Sequence, residues 1–576
     1  MNLDIQQQAA VQTTSPRALV LAGAGSGKTR VLIERIAWLI ETQKVSATEI
    51  MAFSFTRKAS GEIRDRLKER IGGKANGAQM GTMHGLALEF IHRFGEIIGL
   101  RPANVTVYGD WESGYLLADV AQEMSAKKPA LKAAKEALER YYQTGEEPRE
   151  DDPGRDLVTV FLARCRENNA LTYGSLLIGM RLLVPTLVKY LHIRHILVDE
   201  IQDIDPLQWN IILDICALFK ANLFVVGDID QSIYSFRGAV PEYLVDHAGE
   251  FDIYRIENNY RSTPSIVEAS NRLISHNTDR VEKTMRATRE GTEGGPSGVY
   301  VRRDCNSEAI IGIVQTEKFI YGDCQGWAIL ARKHSLLGKI DRLLEEAEIP
   351  HTYIGKTTAL TNSEPFRRFH SFLKLAVNPY DNFAFLLIRD IIGLSQEEYG
   401  KIRLAAAQMG KSHMQVYADL FCVETTMEHD VPLSEYTSFL NGKFPDLSPE
   451  SLAFIHQWLE DHNDDIASYL DWLATFDVQD EIKSEEAEGI TLATIHAAKG
   501  LEWPVVVIAG CNEGIIPARP NDLEEIEGER RLMYVAMTRA MDQLMLTVRP
   551  TESTDTAGRV HKSPESRFII ELQGDM

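Results

Sequence analysis

The sequence predicts an α/β protein with two parallel sheets, each interrupted by a mainly helical insert. Two observations carry that expectation. Apolar runs of strand length alternate with helix-period stretches early in the chain, the pattern of a parallel sheet covered by helices. The same alternation returns near residues 299–330 and again near 490–537, on either side of a long helical tract.

In chain order, residues 18–21 form an apolar run, 23–27 a glycine loop, and 31–40 a stretch with apolar residues at helical spacing. A second apolar run at 50–55 precedes the charged amphipathic stretch 57–70. Residues 86–98 and 115–142 read as helices, 145–155 as an exposed acidic loop with prolines, and 157–191 as helix again. Strand-length runs at 196–198 and 223–226 end in acidic or glycine-bearing turns. A glycine-rich break at 291–298 precedes candidate strands at 299–302 and 327–330. Residues 366–471 read as mostly helical, 490–493 and 505–509 as strands, and 529–537 as a helix.

The 576 residues include 61 Lys+Arg and 83 Asp+Glu, a formal charge of −22. At ~100–200 residues per domain, the length suggests about three to five domains. Hydrophobic content of 44% with 25% charged residues fits a folded chain. No apolar run approaches the ~18 residues needed to cross a bilayer. The opening Met1-Asn2-Leu3-Asp4-Ile5 lacks the basic start and apolar stretch of a signal peptide, so a cytoplasmic location with no membrane role is expected. Cys165, Cys216, Cys305, Cys324, Cys422 and Cys511 form no CxxC pair, and no histidine sits at zinc-ligand spacing. Reduced thiols and no structural zinc are expected. So acidic a chain attracts nucleic acid weakly, and any charge that binds it must be local.

The strongest signal is Ala22-Gly23-Ala24-Gly25-Ser26-Gly27-Lys28-Thr29-Arg30 between a strand and a helix. Its glycines let backbone N–H groups close around phosphates, and the helix terminus favours negative charge. Lys28 is expected at the β/γ-phosphates and the Thr29 hydroxyl on Mg²⁺. Ala22 stands where the general pattern has glycine. Asp199 and Glu200 end the run Ile196-Leu197-Val198. Asp199 is expected near Mg²⁺, and Glu200 as the group that orients and deprotonates water. A carboxylate pair capping the next helix is the alternative. Cations must also meet the γ-phosphoryl charge; Arg261 and Arg539 are candidates that spacing alone does not select.

With these residues in hand, the chain resembles the UvrD/Rep/PcrA family of superfamily 1A DNA helicases. The resemblance follows the motifs in order: Ser54-Phe55-Thr56-Arg57-Lys58-Ala59, Gly81-Thr82-Met83-His84-Gly85 and Val198-Asp199-Glu200-Ile201-Gln202-Asp203. It continues through Val226–Ala239, which contains Gln231-Ser232-Ile233-Tyr234-Ser235-Phe236-Arg237, and Asn259-Tyr260-Arg261-Ser262. Near the end come Thr494-Ile495-His496-Ala497-Ala498-Lys499-Gly500-Leu501-Glu502 and the tract from Arg530 to Ala540. It implies two RecA-like P-loop motor cores, with core 1 at 1–88 and 191–260 around an insert at 89–190. Core 2 would comprise 261–386 and 488–576 around an insert at 387–487.

The resemblance also implies roles. Gln7 is similar to the glutamine that reads adenine, with Arg30 in the same nucleotide set, and Tyr260 to the ring that stacks on the base. Gln231 resembles the γ-phosphate sensor, Arg261 and Arg539 the arginines reaching across from core 2, Glu502 the ribose contact, and Gly500 a neighbour of the γ-phosphate. The strand track would include Phe55, Thr56, Arg57, Thr82, His84, Tyr234, Phe236, Arg237, Arg332 and His496. Aromatic faces stack on bases without choosing among them. Read one at a time, however, Phe55, Tyr234 and Phe236 are ordinary core aromatics, and His84 and His496 satisfied histidines. A local excess of four positive charges at 57–74 offers DNA a footing, though it also fits a solvated helix face. The acidic runs 477–488 and 522–529 suggest solubility and repulsion of DNA from wrong faces.

The expected activity is ATP- and Mg²⁺-dependent translocation on single-stranded DNA, with 3′-to-5′ unwinding at single-strand/duplex junctions. One alternative is a translocase that unwinds only with a loading or accessory protein. Another is a nucleotide-controlled DNA-binding or interaction module without motor activity.

Overall fold

The computed structural model describes residues 3–235, 238–240, 247–278, 280–290, 298–321, 324–355, 360–421, 432–435, 447–462, 464–476, 489–520, 522–550, 552–554 and 560–573. Phe236, Arg237, Cys422 and the acidic run 477–488 lie outside them. Two six-stranded parallel sheets organise the chain. The first contains β1 (Arg17–Ala22), β2 (Ile50–Ser54) and β3 (Gln79–Thr82). A small ribbon of β4 (Thr106–Tyr108) and β5 (Ala170–Thr172) stands apart from it. The sheet is completed by β6 (His195–Val198), β7 (Asn222–Gly227) and β8 (Asp252–Ile256), in the order β3-β2-β6-β7-β1-β8.

Alternate strand residues enter opposite layers of this sheet. Leu19, Leu21, Met51, Phe53, Ile196 and Val198 pack on one face. Ala18, Val20, Ile50, Ala52 and Leu197 pack on the other. Burial on both faces explains why these strands read as continuous apolar runs. After the short pair β9 (Asn258–Asn259) and β10 (Arg286–Ala287) comes the second sheet. Its strands are β11 (Gly298–Arg302), β12 (Trp327–Ala331), β13 (His351–Tyr353), β14 (Ile490–Thr494), β15 (Trp503–Ala509) and β16 (Ala540–Thr547), ordered β11-β16-β15-β12-β14-β13.

Two expected helices are broken. The tract 115–142 divides into Asp110–Glu123 and Lys128–Thr144. Ser125 has φ 52°, and Pro129, which has no N–H to donate, sits in the second helix's first turn. The tract 157–191 stops at Asn169 (φ 49°), forms β5, and restarts where Thr172 caps Tyr173–Leu187.

The second helical region runs from Glu364–Val377 to Ile466–Ala474 and is docked on the first. Phe383 and Leu387 enter the apolar core of the first insert. Around them, Tyr108 Oη donates to Asp381 Oδ1 (2.6 Å), Asn378 Nδ2 to the Asn168 carbonyl (2.8 Å), and Lys374 Nζ to the Val107 carbonyl (2.8 Å). Lys374 also pairs with buried Glu112. No helix among the described residues is long and apolar enough to cross a membrane.

Candidate nucleotide cleft and nucleic-acid interface

The glycine loop leaves the C-terminal end of β1, where ligands of parallel sheets bind. Gly25 (φ 69°) and Gly27 (φ 81°) are left-handed, and Gly27 begins the helix Lys28–Glu41 without a capping side chain. The first N–H groups of that helix therefore face the loop with no competing side-chain acceptor. Side chains are excluded here by close approach: a Cβ on Gly25 would come within 2.6 Å of Arg261 Cβ. Gln7 Nε2 fastens the loop by donating to the Ser26 carbonyl at 2.9 Å.

Glu200 follows β6 at φ 49° and lies opposite Lys28, whose Nζ is 2.9 Å from Glu200 Oε2. Burial alone would raise the Glu200 carboxyl; Lys28 and Lys499, with a hydrogen bond from Gln202, instead hold it below the usual carboxylate range. Asp199 shifts the other way, raised by burial and by Glu200. Lys499 pairs with Asp203 and donates to the Gln231 carbonyl at 2.6 Å. Burial, only partly offset by Lys499, leaves the Asp203 carboxyl at about 6.

From the second sheet, Arg539 reaches the same place. It is 2% exposed and donates to the carbonyls of Val535 (3.0 Å) and Leu501 (3.2 Å), with Nη2 3.5 Å from Gln231 Oε1. Burial and neighbouring Arg261 lower its guanidinium to about 9. Arg261 pairs with Glu502 and donates to the Thr538 carbonyl at 3.0 Å. At the outer end Tyr260 is 43% exposed, its hydroxyl 2.6 Å from Asp4 Oδ2.

These groups line one cleft of about 1450 Å³ between the sheets: Gln7, the loop from Gly23 to Arg30, Glu200, Gln231, Tyr260, Arg261, Gly500, Glu502 and Arg539. Two expected members do not line it. Ala22 is the fully buried last residue of β1. Asp199 lines a neighbouring cavity, accepts from the Glu200 N–H at 3.0 Å and remains under the charge of Lys28.

That neighbouring cavity, about 450 Å³, is lined by Phe55, Thr82 and His84. Its other walls include Tyr142 and Tyr173 of the first insert, and Arg367, Lys374, Leu470 and Phe476 from the second helical region. Many of the expected strand contacts also hold the fold. Thr56 and Thr82 cap the helices Arg57–Ile71 and Met83–Phe94. Phe55 stacks on Tyr234 at 5.0 Å, and His84 on Tyr173 at 4.0 Å. Tyr234 is buried, its hydroxyl donating to the His496 carbonyl at 3.3 Å. Arg57 donates to the Trp472 carbonyl at 2.7 Å and lies over the Trp472 ring.

The expected charged residues and runs find partners within the protein. Arg332 is paired with Glu529 at 3.0 Å. Glu529 also accepts from the Ala518 N–H, and Glu527 is buried against Thr278. The run 522–529 is therefore partly structural rather than a wholly solvated repelling face. Part of the positive stretch 57–74 is paired within the first core: Arg66 with Glu62, Arg70 with Glu34 and Glu41, and Lys74 with Glu41.

Comparison with known families agrees with this geometry along most of the chain. The UvrD/REP helicase N-terminal domain matches residues 3–252, and the UvrD-like helicase C-terminal domain matches 254–436 and 450–550. The chain belongs to the UvrD/Rep/PcrA-like helicase family. This helicase-family chain is 29% identical to the ATP-dependent DNA helicase PcrA of Leuconostoc citreum, over 99% of its own length and 85% of the relative. The PcrA of Bacillus subtilis is 29% identical over 99% and 85% of the two chains, and that of Staphylococcus epidermidis 26% over 100% and 87%.

Several residues of the helicase cleft carry no role in the sequence reading. Lys499 and Asp203 join the two cores beneath Gln231, and Gln202 ties Glu200 to the Asp228 N–H. Asn259 donates to the Ala24 carbonyl at 2.7 Å, linking the phosphate loop to the crossover into the second core. All four stand inside recognisable motifs, yet nothing local shows which neighbour each meets. Gln457, from the helix Pro449–Asp461, lines the cleft mouth and has no sequence signal at all.

Proposed function

We propose that this helicase couples ATP hydrolysis to translocation on single-stranded DNA and unwinds duplex at single-strand/duplex junctions with 3′-to-5′ polarity. The observation that carries the reading is the convergence of Lys28 and Glu200 from the first sheet with Arg261 and Arg539 from the second on one cleft. A nucleotide bound there favours the closed arrangement of the cores, and its hydrolysis removes that preference. Polarity rests on the family resemblance.

In this reading the two cores follow the division at 1–88, 191–260, 261–386 and 488–576. Gln7, Arg30 and Tyr260 hold the adenine end, Glu502 the ribose, and the loop from Gly23 to Thr29 the phosphates, with Gly500 beside the last. Lys28 would exchange Glu200 for the β/γ-phosphates. Glu200, so released, orients the attacking water and accepts its proton, while Gln231, Arg261 and Arg539 meet the developing charge. The Thr29 hydroxyl and the Asp199 carboxylate, which lies under the charge of Lys28, are hard oxygen donors that suit Mg²⁺. Mg²⁺ bound there would neutralise phosphate charge.

Phe55, Thr56, Arg57, Thr82, His84, Tyr234, Arg332 and His496 form the strand track, with Phe236 and Arg237 continuing its motif, and the protein acts in the cytoplasm. A second reading, in which an accessory protein is needed for unwinding, is favoured by the docked helical region that roofs Phe55, Thr82 and His84.

The test is steady-state ATPase with and without single-stranded DNA, with Glu200→Gln as the blank. Strong stimulation that weakens as salt rises is expected. Turnover indifferent to DNA would reject the motor, and a Glu200→Gln variant as fast as wild type would reject the assigned base.

A further inference from the structure

A buried cluster of four charges lies beside the cleft, outside every role assigned above. Asp228 and Asp230 follow β7 in the first core and are 0% and 1% exposed. Lys283 pairs with both carboxylates, and Arg280 Nη2 pairs with Asp230 at 2.8 Å. Burial alone would lower the Lys283 ammonium, but the two carboxylates raise it above its ordinary value.

Lys283 and Arg280 belong to a strap spanning the two cores. It follows the helix Pro264–Ile274, whose Ile266 and Leu273 pack in the core of the second sheet. The strap is tied to that side by Asn277, which donates to the Glu527 carbonyl at 3.1 Å. It then crosses to the first core: β10 pairs with β9, and a Cβ on Gly23 would meet Met285 Sδ at 2.0 Å.

The cluster acts on one neighbour. Asp228 Oδ1 meets Lys283 while Oδ2 accepts from Gln231 Nε2 at 2.6 Å. A carboxylate only accepts, so the Gln231 amide must present its nitrogen to Asp228 and its oxygen the other way. That oxygen faces Arg539 Nη2 at 3.5 Å. We infer that Lys283, supported by Arg280, is a positioning residue for ATP hydrolysis, setting through Asp228 which face of the Gln231 amide is turned to the reacting phosphate and Arg539. The inference rests on the reading of Gln231 as the γ-phosphate sensor. The strap that carries Lys283 is anchored in both cores.

The experiment is DNA-stimulated ATPase of the full chain with oligo(dT), comparing Lys283→Met, Lys283→Arg, Gln231→Ala and the Lys283→Met/Gln231→Ala double variant. Lys283→Met is expected to lower kcat about tenfold with the KM for ATP within about twofold, and Lys283→Arg to recover most of the loss. The double variant should be no slower than Gln231→Ala, because both changes remove one interaction. Independent, additive losses, or a Lys283→Met kcat equal to wild type beside a slowed Gln231→Ala, would overturn the inference alone. Gln231→Ala at wild-type turnover would overturn the site reading with it. If Lys283→Met fails to fold, the near-isosteric Asp228→Asn replaces it under the same criteria.

Discussion

The nucleotide cleft and the proposed strand track both draw on the first core but are built differently. In the cleft, the groups that would meet ATP hold one another in exchangeable pairs: Lys28 with Glu200, Arg261 with Glu502. Along the track, the corresponding groups are tied into the fold: threonines cap helices, rings stack on rings, and Arg57 grips the helix Ile466–Ala474. An ion pair can be traded for a phosphate without moving the backbone. A capping hydroxyl or a stacked ring is released only when an element moves. On the proposed assignment, ATP would enter this arrangement directly, whereas a strand bound at Phe55, Thr82 and His84 would displace the helical roof.

Three changes test that contrast, from largest to smallest. Lys28→Ala removes the one cation exchanged from Glu200 to phosphate, and turnover should fall about a thousandfold or more. Hydrolysis near wild type would show that the cleft does not work by this exchange. Phe55→Ala should weaken affinity for oligo(dT) roughly tenfold, within the ~1–3 kcal/mol of one base stack, leaving the KM for ATP unchanged. Fluorescence anisotropy at fixed salt reads it, and unaltered DNA affinity would remove Phe55 from the track.

The smallest effect concerns the roof. His92 Nε2 lies 3.0 Å from Asp471 on the roofing helix. Burial opposes its charge, but Asp471 raises its pKa above the ordinary value. The stabilisation is therefore complete below pH ~6.5 and is lost as pH rises through the higher folded value. Amide exchange in Ile466–Ala474, corrected for intrinsic rate, should show opening about twofold to fivefold more frequent at pH 8 than at pH 6, ~0.5–1 kcal/mol. His92→Gln should abolish the difference; an equal pH response in that variant would place the sensitivity elsewhere.

The sequence alone determined the two-sheet architecture and nearly all of the nucleotide cleft. Strands buried on both faces are written as apolar runs, and a phosphate loop is a local backbone device whose glycines and lysine are neighbours in the chain. Asp199 lies between the cleft and the neighbouring cavity: it lines that cavity, yet it also feels the charge of Lys28. Only the tertiary structure decided the rest. It brought Lys499 and Asp203 together across the cores, paired Arg332 with Glu529, buried part of an acidic run that reads as solvated, and laid one helical region over the other. The reason is physical. A charged side chain's partner depends on which distant surface folds against it, and composition and periodicity carry no record of that choice.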